Sequence, residues 1–437
     1  MRCKSGILGA FLLLPPTNRS ILSLWVPKAN SGGPACALAF AQRKVPMTAS
    51  KNLNPCAISP IDPAKARSAG SLDPLAIDGF HHIEIYADSA KQSAFYLAHG
   101  FGFRPVGYRG PETGHRDSVS IALQQGNVLL QITCPLRSTS PLAEHVHKHG
   151  FSAKDVAFKV PNCAASFYEA VKRGAQPVSA PAEWRDQNGS IIHASIKTYG
   201  DTVHSFIEHT GYEGPFLPGF APYSQIFPRD VAIEEAGLAV IDHVVGNVEL
   251  GRMDEWVAFY EKVLGFTQFK HFSDKDISTE YSALMSKVMN GGGGKIKMPI
   301  NEPAEGKRKS QIEEYLEFNG GPGVQHIAFR TNDIISVVSR LRARGVRFLW
   351  VPKNYYEQVP SRVGTIREDL AKIQELGILV DRDEDGYLLQ IFTKNLQDRP
   401  TLFFEVIQRE GSQGFGAGNF KALFEAIERD QAERGNL

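Results

Sequence analysis

The sequence predicts an α+β fold of two domains, each built from duplicated strand-and-helix units, on three observations. The stretch Asp155-Val-Ala-Phe-Lys reappears as His326-Ile-Ala-Phe-Arg, and a glycine follows 19 residues later in both, at Gly174 and Gly345. Each half opens with a β-like run carrying histidine, Phe80-His81-His82-Ile83-Glu84-Ile85 and Ile241-Asp242-His243-Val244-Val245, and each then reaches a Phe-Tyr pair, Phe95-Tyr96 and Phe259-Tyr260. Between the halves, Pro215, Pro218, Pro222 and Pro228 mark a stretch outside regular elements. A chain of 437 residues has room for two or three domains, and 42% hydrophobic residues supply their cores.

Residues 1–61 hold seven of the 48 basic residues and none of the 47 acidic ones, the composition of a targeting leader or of an extension upstream of Met47. This segment is set outside the fold and expected to be disordered. Its apolar patch, Ile7 to Leu14, ends at Pro15, far short of the roughly 20 residues that cross a bilayer. No membrane span is expected, and the near-balance of charge over the whole chain leaves no field to attract nucleic acid. Three of the five cysteines fall in the first 61 residues, too few elsewhere for a disulfide framework. A reducing compartment follows, cytoplasmic, or organellar if the leader is a targeting peptide.

Residues 78–212 form the first domain, 213–237 a Pro-rich linker and 238–410 the second domain. In the second, Trp256, Phe259, Tyr260 and Val263 keep the i, i+3, i+4, i+7 spacing of a helical face that Gly265 can stop. Ile334, Val337, Val338 and Leu341 mark another, with Asp333 placed as N-cap. Thr202-Val-His-Ser-Phe206 matches Thr401-Leu-Phe-Phe-Glu405 near the close of each half. In residues 411–437, Phe420, Leu423, Phe424 and Ile427 predict a closing amphipathic helix behind Gly416 and Gly418. The cluster His145, His147, His149 alternates like metal ligands but lies among Lys148 and Gly150 without a carboxylate partner, and reads as a solvated segment. Gly291 to Gly294 with Lys295 lacks the Ser or Thr and the spacing of a phosphate loop, and reads as a flexible turn between strands. Lys307-Arg308-Lys309 is too short to argue for nucleic acid.

Of thirteen histidines the second half keeps only His243, His271 and His326, two of them at corresponding strand positions. Glu405 alternates with Phe403 and Ile407 on one strand face, so its charge points at an apolar interior unless a cation compensates it. Two imidazoles and one carboxylate without thiolates suit non-haem Fe(II), one ion per subunit, with coordination positions left for oxygen and a chelating substrate. Manganese, nickel or zinc could take the same ligands. The positions matching His243, His326 and Glu405 in the first half are His82, Asp155 and Phe206, and since phenylalanine cannot ligate, that half is expected to be structural, with Glu208 as the one nearby carboxylate.

With these residues in view, residues 78–437 resemble the 4-hydroxyphenylpyruvate dioxygenase family of the vicinal oxygen chelate, glyoxalase-like superfamily. The resemblance rests on Ile241-Asp-His-Val-Val-Gly-Asn-Val248, Lys307-Arg-Lys-Ser-Gln-Ile312, Gly323-Val-Gln-His-Ile-Ala328, Glu375-Leu-Gly-Ile-Leu-Val-Asp-Arg382, Leu389-Gln-Ile-Phe-Thr-Lys394, Asp398-Arg-Pro-Thr401, Phe404-Glu-Val-Ile-Gln-Arg409 and Gly414-Phe-Gly-Ala-Gly-Asn-Phe420. It implies two open β-barrels of repeated βαβββ modules, with iron held in the second by His243, His326 and Glu405. It implies that 4-hydroxyphenylpyruvate and O2 give homogentisate and CO2. The substrate carries its own 2-oxo acid, so no external one is needed. Around the substrate it places Ser286, Asn301, Gln311, Gln325, Gln390, Phe392, Phe403, Phe415, Asn419 and Phe420, and over the mouth the closing helix as a lid. Gln325 sits awkwardly there, because a neighbour of His326 should face the other side of a regular strand. A homo-oligomer, dimer or tetramer, is expected. The rival readings are hydroxymandelate synthase, against which Phe403 and Asn301 speak, a ligand-binding protein with no use for the three ligands, and a glyoxalase-type isomerase, which would draw ligands from both halves.

Overall fold

The computed structural model describes residues 56–61, 75–227, 232–272, 283–304, 306 and 308–436. Nearly all of the leader, together with Pro228 and Lys307, lies outside the described residues.

The first half contributes β1 (Ala57–Pro60), β2 (Gly79–Tyr86), β3 (Arg104–Arg109), β4 (Ser118–Gln125), β5 (Val128–Pro135), β6 (Ser152–Lys159), β7 (Pro177–Asp186), β8 (Gly189–Lys197), β9 (Val203–His209) and β10 (Ala221–Pro222). The second contributes β11 (Val240–Asn247), β12 (Thr267–Phe272), β13 (Ala283–Gly291), β14 (Ile296–Ala304), β15 (Gly323–Arg330), β16 (Leu379–Arg382), β17 (Tyr387–Phe392) and β18 (Phe403–Glu410). The sheet orders are β1-β7-β8-β9-β6-β2-β5-β4-β3-β10 and β12-β13-β14-β11-β15-β18-β17-β16. Four βαβββ modules account for both apart from the edge strands β1 and β10: a first strand, a crossover helix, then a meander whose last strand returns parallel to the first, as β11 to β14 and β15 to β18. The two modules of a half join by an antiparallel pair, β2 with β6 and β11 with β15. This is the expected glyoxalase-like arrangement, with each sheet curled into an open barrel.

The helices are α1 (Ala90–Phe101), α2 (Pro141–His149), α3 (Cys163–Lys172), α4 (Tyr223–Ile226), α5 (Met253–Leu264), α6 (Gln311–Asn319), α7 (Ile334–Ala343), α8 (Lys353–Val363), α9 (Leu370–Leu376) and α10 (Phe420–Arg434). Spacing and caps form them as expected. Asp333 accepts the Ser336 N–H at 3.0 Å to start α7, whose Ile334, Val337, Val338 and Leu341 are all buried. Gly265 ends α5 at φ 69°, where a side chain would be strained. The α5 stripe lies slightly off the reading, since Val257 and Leu264 are buried while Trp256 and Phe259 only partly are.

One apolar core runs through both halves, with Phe101 edge-on to Phe404 at 5.2 Å and Phe103 to Phe329 at 5.7 Å. Smaller clusters fill each barrel. In the first, the linker residues Phe216, Leu217 and Phe220 pack on Ala122, Ala157, Ile191 and Ile207, so the chain between the halves plugs that barrel. In the second, Phe272, Leu284, Val288, Ile312, Phe415 and Phe424 pack on one side of a cavity.

Two readings need correction. Ala57–Pro60, set in the leader, is an edge strand antiparallel to β7, because backbone pairing needs no hydrophobic signal. The histidine cluster is no solvated segment: it lies on α2, where His149 is buried with Nδ1 on the Asn319 carbonyl at 2.5 Å and Nε2 on Asp201 at 2.9 Å. Those partners are far away in sequence, so only the tertiary fold brings them to the helix.

Candidate metal centre

The three expected ligands come from adjacent strands at the middle of the second sheet. In the register, His243 on β11 lies opposite Ala328 on β15, and Ala328 lies beside Glu405 on β18. The Glu405 Oε2 stands 3.1 Å from His243 Nε2 and 3.3 Å from His326 Nε2, and one ligand atom of each residue lies within 4.8 Å of the other two. All three side chains are buried.

Two β-bulges make the arrangement possible. The β11–β15 pairing skips Asp242 on one strand and Gln325 on the other. Each extra residue breaks the alternation, so that consecutive residues work together. His243 Nδ1 donates to Asp242 Oδ1 at 2.9 Å, and His326 Nδ1 donates to Gln325 Oε1 at 2.8 Å. With Nδ1 oriented by these partners, each Nε2 is turned toward Glu405. The bulge also resolves the difficulty with Gln325, which lines the same cavity as His326. Asp242 is held in turn by Arg409, through Nε at 2.9 Å and Nη2 at 2.7 Å.

Burial would raise the Glu405 carboxyl, but the two imidazoles outweigh it and bring it down to about 2, so the group stays ionised. Its Oε1 is buried with no hydrogen-bond partner. A buried carboxylate oxygen left bare beside two oriented imidazoles is costly unless a cation fills the gap, so these residues fit a divalent metal.

The cavity beside them measures about 70 Å³. Of the ten expected substrate contacts, Ser286, Asn301, Gln311, Gln325, Gln390, Phe392, Phe403, Phe415 and Phe420 line it. Gln390 and Phe392 on β17 lie opposite Ile407 and Glu405, the antiparallel pair expected across the site. Phe403 stacks on His326 with centroids 4.9 Å apart, and Phe415 meets His243 edge-on at 5.2 Å. Asn419 is the exception. It is fully buried behind the cavity, taking a 2.6 Å hydrogen bond from Tyr355 and donating to Gln390 Oε1 at 3.4 Å, so it supports Gln390 instead of facing the space. Leu423, Phe424 and Ile427 of α10 close the wall.

Asp242 and Arg409 were missed as functional residues. Their signal was an acid directly before a candidate ligand and a cation near the end of the ligand strand, neither of which hydropathy weighs. A second group, His145, His149 and Asp201, also gathers within 4.8 Å, but Lys148 already binds Asp201 at 2.8 Å, which opposes a further cation.

In the first barrel the register moves one assignment. Phe158 pairs with Phe206 as Phe329 pairs with Val406, so the counterpart of Glu405 is Ser205 and not Phe206. The match by local residue similarity slipped by one, which turns a strand residue to the other face. Ser205 donates to Asp155 through its amide at 3.0 Å and its hydroxyl at 2.5 Å. Glu208 accepts the Cys163 N–H at 2.8 Å at the start of α3, away from this group.

Comparison with known proteins supplies the remaining findings. Residues 72–216 match the family model described as hydroxyphenylpyruvate dioxygenase, HPPD, N-terminal, and residues 240–391 match the glyoxalase/bleomycin resistance protein/dioxygenase superfamily. A 4-hydroxyphenylpyruvate dioxygenase of Yarrowia lipolytica is 48% identical, covering 86% of this chain and 97% of that one. One from Danio rerio is 49% identical, covering 82% and 92%. Among solved structures, a triple mutant of 4-hydroxymandelate synthase from Streptomyces coelicolor superposes with a TM-score of 0.73 at 32% identity, over 81% of this chain and 99% of that one.

Proposed function

The chain belongs to the 4-hydroxyphenylpyruvate dioxygenase family, and from that premise we propose that His243, His326 and Glu405 hold one Fe(II) per subunit and that the cavity beside them binds the substrate. The enzyme converts 4-hydroxyphenylpyruvate and O2 to homogentisate and CO2, a step of aromatic amino acid catabolism. The observation that carries the site assignment is the buried Glu405 carboxylate, whose Oε2 faces both histidine Nε2 atoms while its Oε1 has no hydrogen-bond partner, beside two histidines whose other nitrogens are already committed.

Iron, when bound, supplies oxygen activation and an electrophilic anchor for the 2-oxo acid. The protein does the rest. Asp242 and Gln325 fix the imidazole tautomers, so both Nε2 atoms are available without rearrangement. Ser286, Asn301, Gln311, Gln325 and Gln390 offer hydroxyl and amide groups to orient the keto acid and the phenol. Phe392, Phe403, Phe415 and Phe420 enclose the ring and exclude water from a reactive centre.

Leu423, Phe424 and Ile427 of α10 form one wall of the cavity, so movement of that helix would open the site to substrate. The helix is built for that. Arg434 grips Glu314 through both carboxylate oxygens at 2.7 and 3.0 Å, anchoring its far end. Its near end follows Gly416, at φ 75°, where any side chain would also collide with Gln390. We therefore assign 411–437 as a lid, 238–410 as the catalytic domain and 78–212 as its structural partner, with 213–237 as the linker.

We place the enzyme in the cytoplasm, or in an organelle if the leader directs it there; Cys56, Cys134 and Cys163 are free thiols, as a reducing compartment allows, and no helix among the described residues is long and apolar enough to cross a membrane. A homo-oligomer is proposed with it. The test is anaerobic loading with Fe(II), then O2 and 4-hydroxyphenylpyruvate, with CO2 release and product chromatography. Homogentisate is expected; 4-hydroxymandelate would transfer the chain to the rival reaction, and no turnover by an iron-loaded sample would reject the assignment.

A further inference from the structure

Behind the metal centre lies a cleft of about 730 Å³ that the dioxygenase reaction does not use. It is lined by the strand ends at one end of the second barrel, namely Asp242 on β11, Lys297 on β14, Arg330 on β15 and Arg409 on β18. The Gly293-Gly294-Lys295 turn and Asp78 of the first half complete it. Four cations thus meet two carboxylates. Lys295 is taken by Asp78 at 3.1 Å and Arg409 by Asp242 at 2.7 Å, which leaves Lys297 and Arg330 as the surplus.

That surplus is not a solvated face. Lys297 is 8% exposed, and its Nζ finds only neutral partners, Gln413 Oε1 at 3.2 Å and the face of the Phe415 ring at 5.8 Å. Burying an ammonium against an amide, with two guanidiniums nearby, is unfavourable unless an anion joins them. Burial, Arg409 and Arg330 pull the Lys297 amine down to about 8 against the opposing influence of Asp242 and Asp383, so burial and like charge outweigh the nearby carboxylates. Arg330 is exposed, and its backbone carbonyl takes the Ala239 N–H at 2.8 Å while its guanidinium meets no hydrogen-bond or ion-pair partner among the described residues. The glycines at 293 and 294 have open space where a Cβ would stand, so the turn leaves the cleft mouth clear.

We propose that this cleft is a binding site for a compact dianion, a phosphate monoester or a dicarboxylate, held by Lys297 and Arg330 with Arg409 at its back. The charge surplus of two sets the class of ligand, and the buried ammonium distinguishes a built site from surface basicity. The site is joined to the metal centre by two short contacts, from Arg409 to Asp242 and from Asp242 to His243. It also shares a wall with the substrate cavity, since Lys297 and Arg409 both sit over the Phe415 ring, at 5.8 and 5.5 Å.

Isothermal titration calorimetry of the full-length, iron-loaded chain tests this with two probes that chelate iron weakly, glycerol 3-phosphate and succinate, against sodium chloride at matched ionic strength. Saturable binding of one probe per chain is expected, with the stronger probe naming the ligand class. Lys297→Met and, independently, the exposed Arg330→Gln should each weaken it at least tenfold, and Lys297→Arg should stay within about threefold. Absence of saturable binding by either probe, or equal affinity in Arg330→Gln and the parent, would overturn the proposal.

Discussion

The two barrels share one backbone plan and put it to different uses. His81 is skipped in the β2–β6 pairing as Asp242 is in β11–β15, and Lys154 as Gln325 is. His82, Asp155 and Ser205 therefore stand where His243, His326 and Glu405 stand. Even the apolar cover corresponds: Phe216 meets His82 edge-on at 5.1 Å, as Phe415 meets His243 at 5.2 Å. The chemistry diverges in how the polar atoms are spent. In the first barrel His82 Nδ1 faces His81, His81 faces His209, and Asp155 takes both donors of Ser205, so the carboxylate is satisfied within the protein. In the second, one carboxylate oxygen and two imidazole nitrogens are left facing one another. The fold provides the register; whether it becomes a metal centre depends on side chains that leave donor atoms unspent.

The sharpest break of that comparison is Glu405→Ala, which removes the carboxylate whose counterpart is a serine. Iron content measured after desalting should fall to background, and CO2 release should drop at least about a thousandfold. Next comes Asp242→Ala, which frees His243 to rotate. Iron affinity, from competition with a chromophoric chelator, should fall by about 10- to 100-fold, with activity recovered at high iron. Phe216→Ala unplugs the first barrel and should cost about 3–5 kcal/mol in denaturant unfolding. Its iron stoichiometry should stay at one per chain, whereas a gain or loss of metal would show that the first barrel is more than a partner.

The smallest expected effect is on pH. Burial raises the Asp155 carboxyl from 3.8 to about 7, against the lowering by its Ser205 hydrogen bonds. The folded chain thus holds a proton that the unfolded chain releases above about pH 4. Stability from this group is full below that pH, falls by up to about 1.4 kcal/mol per unit as pH rises toward 7, and then levels. Unfolding at pH 5 and pH 8 should show a larger drop for the parent than for Asp155→Asn. Equal drops would place the ionised carboxylate in the native barrel.

Much of this was legible because duplication and periodicity are local signals. The repeated Ala-Phe strands, the Asp333 cap, the α7 face and the convergence of His243, His326 and Glu405 needed only spacing and residue type. What escaped were features set by register or by distant partners. A bulge adds one residue without altering hydropathy, so it hides Asp242 and Gln325 as partners of the histidines beside them, while local residue similarity alone aligns Glu405 with Phe206 where the strand register gives Ser205. Asn419 resembles a cavity residue in sequence, yet Tyr355 and Gln390 draw it inside. His149 needed Asn319 and Asp201, and β1 needed only the edge of β7, neither of which composition records.

The bulges have a consequence for inheritance. Because the extra residue sets ligand and orienting group on adjacent codons, the pair behaves as a two-residue cassette. A duplication copies the tether along with the donor atom, and a later point change can retune one without dislodging the other.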